Sequence, residues 1–269
     1  MVRKAIYYDK KLDISSLLDD RVYKAKPEDY QVLDYDSISS WLDGVKPGDI
    51  LVFAQDVVPF TAYDIRPEST ESKLLNFLRN GGIVVWLGDA PFMYRVRCFD
   101  SGYYTKVWNA RWMFKKYVAF SPSADVYVTK FGPYERGDRV CMLDIIGGFY
   151  TDLEKVTWIS HDYKHLNFFK LNYVCFLNQP AYTVLTLTGK LFGYNGTVTL
   201  RPTRVTTRIF PLNTLRLEGI CEGKYAGSWI ADVGEGYFVR LYDVKDEIDT
   251  NKVFEIAERI SNLVQKTRR

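Results

Sequence analysis

The stretch Asn80-Gly81-Gly82-Ile83-Val84-Val85-Trp86-Leu87-Gly88-Asp89-Ala90-Pro91-Phe92 constrains the fold of this chain more than any other. Its apolar run, Ile83 to Leu87, stands between a Gly-Gly pair and a Gly-Asp step. A strand with one wet face alternates polar and apolar side chains. A strand without alternation is covered on both faces, as the central strands of parallel sheets are. Gly81 is placed to end a preceding helix, and Gly88-Asp89 opens the strand's C-terminal end onto a candidate site.

The chain before this strand repeats the same theme. Lys4 to Asp9 reads as a first strand, followed by a short helix over Ile14 to Leu18 with Asp13 as its cap. Asp29 to Asp34 reads as a second strand. Asp36 or Ser37 then caps a helix whose buried stripe is Ile38, Trp41 and Leu42. Gly44 and Pro47-Gly48 break the chain before a third apolar strand, Asp49 to Ala54. Val57 to Thr70 carries Pro59 and Pro67 without a period and reads as a long loop. Ser69 or Thr70 starts a helix with Leu74, Leu75, Phe77 and Leu78 on its apolar face. Four strand–helix alternations imply right-handed crossovers and a mostly parallel sheet. The expected fold class is α/β, with a flavodoxin-like three-layer core.

After Pro91 the pattern changes. Tyr104 to Tyr117 is aromatic-rich and reads as a helix. From Ser121 to about Ile230 short strands alternate with turns, among them Asp125 to Thr129, Val156 to Ser160, Tyr173 to Leu177, Tyr182 to Thr188, Thr197 to Leu200 and Thr203 to Phe210. Ser228 to Val233 and Gly236 to Leu241 flank Gly234-Glu235-Gly236, a hairpin signal. Asp249 or Thr250 caps a last helix with Val253, Ile256, Ala257, Ile260, Leu263 and Val264 on its apolar face. The expected organisation is a core of residues 1–120 and 225–269 with a β-rich insertion or lobe over 121–224.

Composition narrows the class. With 47% hydrophobic and 26% charged residues the chain is globular rather than disordered. A net charge of +3 and a pI near 8.5 are too mild for a dedicated nucleic-acid domain. No apolar run reaches the roughly 18 residues that a bilayer span needs, and Asp9 and Lys10 interrupt the first apolar segment, so a cytoplasmic location is expected. Abundant Tyr, Lys, Arg and Glu with few Gln, His and Met suggest a thermophile. Cys98, Cys141, Cys175 and Cys221 form no C-x-x-C pair and read as buried thiols rather than a zinc site.

Three segments together resemble the class I glutamine amidotransferase-like fold. They are Asp49-Ile50-Leu51-Val52-Phe53, then Gly81 to Asp89, and late in the chain Val233-Gly234-Glu235-Gly236-Tyr237-Phe238-Val239-Arg240-Leu241. The nearest in style are its non-amidotransferase members, the trehalose-utilisation-type proteins and the domain attached to some β-galactosidases. The resemblance covers residues 1–95 and 225–265. Catalytic members of that family carry Cys in a G-x-C-x-G elbow after the central strand. Here that stretch is Val85-Trp86-Leu87-Gly88-Asp89, without Cys. The resemblance therefore implies the scaffold without its glutaminase nucleophile.

Several residues are candidates for a site. Asp9, Asp34, Asp56 and Asp89 each sit at or just past the end of an expected parallel strand, the edge where open α/β sheets bind ligands. With Trp86 and Tyr94 they form the ligand-binding candidate set. Asp56 and Asp89 form the candidate pair for Mg²⁺ or Mn²⁺, which prefer oxygen ligands. The alternative is that such aspartates cap helices and close turns. Tyr94, Tyr103, Tyr104, Trp108 and Trp112 would stack on sugar rings or bases, or serve as core. His161 and His165, the only histidines, lack an evident third ligand. Arg201, Arg204 and Arg208 are the candidate nucleic-acid set, with Arg204 and Arg208 on one face of an expected strand.

These residues favour a non-catalytic binding or assembly protein, needing no cofactor, with a protein partner, a second copy, or a small-molecule or glycan ligand. The alternatives are a metal-assisted hydrolase of carbohydrates or phosphoesters using a divalent metal, and a nucleic-acid binder using the Arg face.

Overall fold

The computed structural model describes residues 2–10, 20–55, 57–59, 61–62, 73–88, 91, 94–98, 124–128, 177, 179–205, 207, 209–218 and 223–267. Its main feature is a seven-stranded, mostly parallel sheet. The strands in chain order are β1 (Lys4–Tyr7), β2 (Gln31–Leu33), β3 (Ile50–Phe53), β5 (Ile83–Leu87), β12 (Ile209–Pro211), β15 (Trp229–Val233) and β16 (Gly236–Leu241). In space they run β12-β15-β16-β5-β3-β1-β2. The five from β16 to β2 are mutually parallel, and the β15–β16 hairpin adds the antiparallel side.

The Ile83–Leu87 run occupies the middle of this sheet, and all of its residues are buried. β3, also apolar throughout, lies beside it with Phe53 opposite Trp86. Both strands lack alternation because neither has a solvent face. Gly81 is left-handed at φ 95°, which stops the preceding helix and lets Gly48 donate its N–H to the Gly81 carbonyl at 2.9 Å.

Three helices serve the sheet. α2 (Tyr35–Leu42) buries Ile38, Trp41 and Leu42, and α3 (Lys73–Arg79) buries Leu74, Leu75, Phe77 and Leu78. Trp41 and Phe77 pack ring to ring at 5.5 Å. The last helix, α5 (Thr250–Lys266), lays Val253, Ile256, Ala257, Ile260 and Val264 on the face formed by Ile6, Val52, Val85 and Val239. Asp49, wholly buried, ties β1 to β3 at the other end of the sheet by accepting from Arg3 N and Nε and pairing with the guanidinium at 2.6 Å. A four-residue helix, α1 (Arg21–Lys24), follows β1.

The remaining strands make smaller sheets. β4 (Val57–Pro59), β6 (Tyr94–Cys98) and β7 (Ala124–Val128) form one; β8 (Ala181–Tyr182) and β10 (Val198–Thr199) form another. β11 (Thr203–Arg204), β14 (Gly223–Ala226), β13 (Asn213–Leu217) and β9 (Val184–Leu185) make the third. Between β9 and β10 lies a short helix, α4 (Leu187–Phe192). A 3₁₀ turn (Lys245–Glu247) precedes α5.

Five local expectations give way. The cap of α2 is Asp34, not Asp36 or Ser37; Ser37 instead closes a reciprocal capping box at the third helical position. Val57–Pro59 is strand, not loop: Pro59 is tolerated because β4 is an edge strand, where a missing N–H costs no ladder bond. The alternating run Tyr182 to Thr188 stops at Thr186, whose hydroxyl caps α4 by accepting from Gly189 N at 3.0 Å. Left-handed Gly193 then ends that helix. Thr203 to Phe210 is not one strand but two, β11 and β12, in different sheets. β12 forms an edge of the large sheet, beside β15. Leu263, expected on the buried stripe of α5, is exposed. The expected helices over 14–18 and 104–117 and strand over 156–160, and the strand over 173–177 apart from Leu177, lie outside the described residues.

Candidate functional site

β1 is followed in the chain by β2 on one side and then by β3 on the other. Connections therefore leave the C-terminal ends of β1 and β3 in opposite directions, the topology that opens a crevice between strand ends in sheets of this kind. This is the place where open parallel sheets receive ligands. Tyr8-Asp9 and Ala54-Gln55 follow the two strands at this point. The Gln55 amide clamps the two strand ends: its Oε1 accepts from Asp9 N at 2.9 Å, and its Nε2 donates to the Asp9 carbonyl at 3.0 Å. Both bonds are buried, so the two strand ends are fixed relative to one another. Tyr8 stacks on Tyr23 of α1 with centroids 4.2 Å apart, and the Lys10 ammonium stands over the Tyr23 ring at 5.4 Å. Burial, with the nearby Asp20 carboxylate, pushes the Tyr8 phenol up.

Two of the candidate carboxylates hold backbone here. Asp34 accepts from Ser37 N at 2.9 Å and from Ser37 Oγ at 2.6 Å, which makes it the N-cap of α2. Asp9, buried, accepts from Tyr35 N at 3.1 Å, at the first residue of the same helix. Both negative charges stand at the positive end of the helix dipole, where they stabilise it. Trp86, expected at a ligand, is a core residue: it is wholly buried and its ring packs on Phe53 at 5.1 Å. A side chain one residue before the end of a doubly covered strand points into a packed layer, not toward the edge.

The neighbouring strand ends, β5 and β16, carry a second polar cluster. Gly88 (φ 95°) and Tyr242 (φ 44°) both take left-handed backbone, and Gly88 N donates to the Tyr242 carbonyl at 3.0 Å. Tyr242 is the only non-glycine with positive φ among the described residues. Such conformations cost of order 1 kcal/mol or more and persist only where neighbours fix them. Here its hydroxyl donates to Asn195 Oδ1, its N–H donates to Ser228 Oγ at 3.1 Å, and its ring lies against Tyr194 at 5.0 Å. Burial pushes both phenols up.

Arg240 and Asp243 lie beside it. The fully buried guanidinium of Arg240 donates to the carbonyls of Arg201 and Gly88 and to Thr203 Oγ1 at 3.1 Å, and stands 3.6 Å from Asp243. Asp243 Oδ2 accepts from Thr199 Oγ1 at 2.7 Å and from the backbone N–H groups of Leu200 and Arg201. Its Oδ1 is buried without a hydrogen-bond partner among the described residues. Burial pushes the Asp243 carboxyl up, and Arg240, Thr199 and the two N–H groups oppose the shift. One turn on, Glu247 accepts from Thr197 N and from Val198 N at 3.1 Å. Two carboxylates thus strap residues 197–201 to the end of the sheet.

The structure therefore brings Asp9, Asp34 and Gln55 together. Arg204 is exposed on β11, Arg201 lies in the strap held by Asp243, and the strand expected to align Arg204 with Arg208 ends at Arg204. Asp56, Asp89, Arg208, His161, His165 and the side chain of Tyr94 lie outside the described residues. Among the described residues, no three His, Cys, Asp or Glu side chains stand close enough to hold a metal ion. No helix among them is long and apolar enough to cross a membrane. Sequence reasoning missed Gln55, Arg240 and Asp243. The available signal was the lone charge in Tyr237-Phe238-Val239-Arg240-Leu241, followed three residues later by Asp243. A charge inside an apolar strand is buried only if it is paired.

Residues 3–111 match the model of the MJECL34 family. A relative from Methanocaldococcus jannaschii, described as an uncharacterized protein MJECL34, is 35% identical over 95 residues, which cover 32% of this chain and 32% of the relative. The chain thus spans about a third of the length of the curated relative it matches. The family match takes in the crevice between β1 and β3 and the strand β5. It does not take in β16 or the strap.

Proposed function

We propose that this chain is a non-catalytic binding or assembly module on an amidotransferase-like, flavodoxin-like three-layer core, with its ligand seated at the crevice between β1 and β3. The observation that carries the reading is the occupation of the polar groups there. Asp9, Asp34 and Gln55 are engaged with backbone groups of strand ends and of α2, so they build a rigid floor rather than present reactive atoms. The elbow after β5 offers Gly88-Asp89 where a glutaminase has its Cys. The parallel strand order β2-β1-β3-β5-β16 supports the flavodoxin-like assignment.

The test is glutamine-dependent ammonia release by the purified chain and by Asp89→Asn. The expected result is release at the blank rate for both. Turnover by the wild type that disappears in Asp89→Asn would contradict the reading.

A second reading rests on one further observation. β3 and β5 are direct neighbours, with Phe53 opposite Trp86, and Asp56 and Asp89 each follow three residues later. That register favours Asp56 and Asp89 as the pair for Mg²⁺ or Mn²⁺ in a hydrolase of carbohydrates or phosphoesters.

A further inference from the structure

Seven large apolar residues are exposed among the described residues, and four of them fall within ten positions: Tyr182 (87% exposed), Val184 (73%), Leu187 (74%) and Leu191 (69%). Tyr182 and Val184 flank buried Thr183, so they share one side of the chain entering α4. Leu187 and Leu191 are four apart on α4 and share one face of that helix. Scattered exposed leucines need no explanation, but a concentration of this kind marks an interaction surface.

The charges around it indicate the occupant. Lys190 is exposed on α4, next to Leu191. Arg259 of α5 donates to the Leu191 carbonyl at 3.1 Å. Neither has a carboxylate partner among the described residues, whereas Lys252, close by at Gly193, is neutralised by Glu255 at 2.6 Å. The patch is therefore an apolar centre with two cations at one rim that no described carboxylate neutralises. A second copy would set these cations against their own kind. A bilayer surface is a poor match as well, since lipid-binding clusters carry about 4–8 basic residues and α4 has a single pair of apolar anchors.

We propose that the Tyr182–Leu191 face docks a segment of a partner protein that presents an apolar stripe flanked by carboxylates. Its apolar side chains cover Val184, Leu187 and Leu191, and its acidic flank meets Lys190 and Arg259. This is the ordinary anatomy of a protein interface, an apolar centre inside a charged rim. The face is separate from the crevice between β1 and β3, and does not depend on what binds there.

The test uses two labelled helical peptides with the same leucine stripe, one flanked by Glu and the other by Lys, read by fluorescence anisotropy. The Glu-flanked peptide is expected to bind saturably and about tenfold more tightly than the Lys-flanked one. Leu191→Ser and Lys190→Glu should each weaken it about tenfold, while Val32→Ser, on the far edge of the sheet, leaves it unchanged. Equal binding of the two peptides, no binding, or indifference to Leu191→Ser overturns the proposal. So does a sedimenting dimer that Leu191→Ser dissociates, which makes the occupant a second copy. Flotation with anionic vesicles that Leu191→Ser abolishes makes it a membrane surface. A lowered melting temperature of Leu187→Ser and Leu191→Ser alone means that the chain covers this face itself, and also overturns it.

Discussion

Asp243→Ala removes the carboxylate on which the strap at the end of β16 converges. The side chain is about as buried as Arg240, and the two stand 3.6 Å apart. Truncation removes the carboxylate beside a buried guanidinium and frees the N–H groups of Leu200 and Arg201 and the Thr199 hydroxyl. Breaking one side of a buried pair costs about 3–5 kcal/mol. Arg240 keeps its carbonyl acceptors at Arg201 and Gly88, so the lower end, about 3 kcal/mol, is expected. In a chain of this length that lowers Tm by about 6–12 °C. Urea unfolding followed by far-ultraviolet circular dichroism reads the loss directly. Removing both partners, as Arg240→Met with Asp243→Leu, should cost less than the sum of the single changes, because no uncompensated charge remains. A loss under about 1 kcal/mol in Asp243→Ala would refute the reading of this pair as mutually dependent.

The same pair sets a pH dependence opposite to that of a surface carboxylate. Burial raises the Asp243 carboxyl in the folded chain above its ordinary 3.8, so the native state holds the proton more firmly than the unfolded one. Its favourable contribution is complete below 3.8 and is lost as pH rises through the folded value. The stability of the wild type relative to Asp243→Asn should therefore fall as pH rises above about 4; a rise would contradict burial as the dominant cause. Gln55→Ala should cost about 2 kcal/mol in urea unfolding, because it removes two buried hydrogen bonds to the Asp9 backbone; an unchanged midpoint would mean that the strand ends hold without the clamp. Gly236→Ala should cost about 3 kcal/mol, since an added Cβ would overlap the carbonyl oxygens of Leu78 and Gly82, both fixed backbone. Ultraviolet titration of the phenols checks Tyr30, Tyr194 and Tyr242, which burial holds protonated well above pH 10. Their contribution is lost as pH rises past 10, so part of the phenolate signal should appear only with unfolding and shrink in Tyr194→Phe.

The large sheet was legible in the chain because its signals are local and redundant. Ile83 to Leu87 and Ile50 to Phe53 lack alternation, glycines bound them, and the hairpin announces itself in Gly234-Glu235-Gly236. Thr203 to Phe210 misled because β-branched residues fit either one strand or two, and only pairing with β14 and β15 separates them. α4 was hidden by an alternating run that its cap interrupts at Thr186. At the edge of the sheet, residue type showed where carboxylates lie but not what they touch. Asp34 as a cap and Trp86 as core depend on the direction of each side chain, which strand order and packing decide. Gln55 and the Arg240–Asp243 pair join residues distant in the chain to the strap and to β1, so no spacing rule exposes them.

The most direct measurement is thermal unfolding of the purified chain in EDTA, Mg²⁺, Mn²⁺ and Zn²⁺, beside the same series on Asp89→Asn. A metal bound only by the native state at a hundred times its dissociation constant adds about 2.7 kcal/mol, a rise of roughly 5 °C or more at this chain length. A non-catalytic module predicts the same midpoint in every condition for both proteins. A rise specific to one metal and absent in Asp89→Asn would contradict it and make the sheet edge a metal centre.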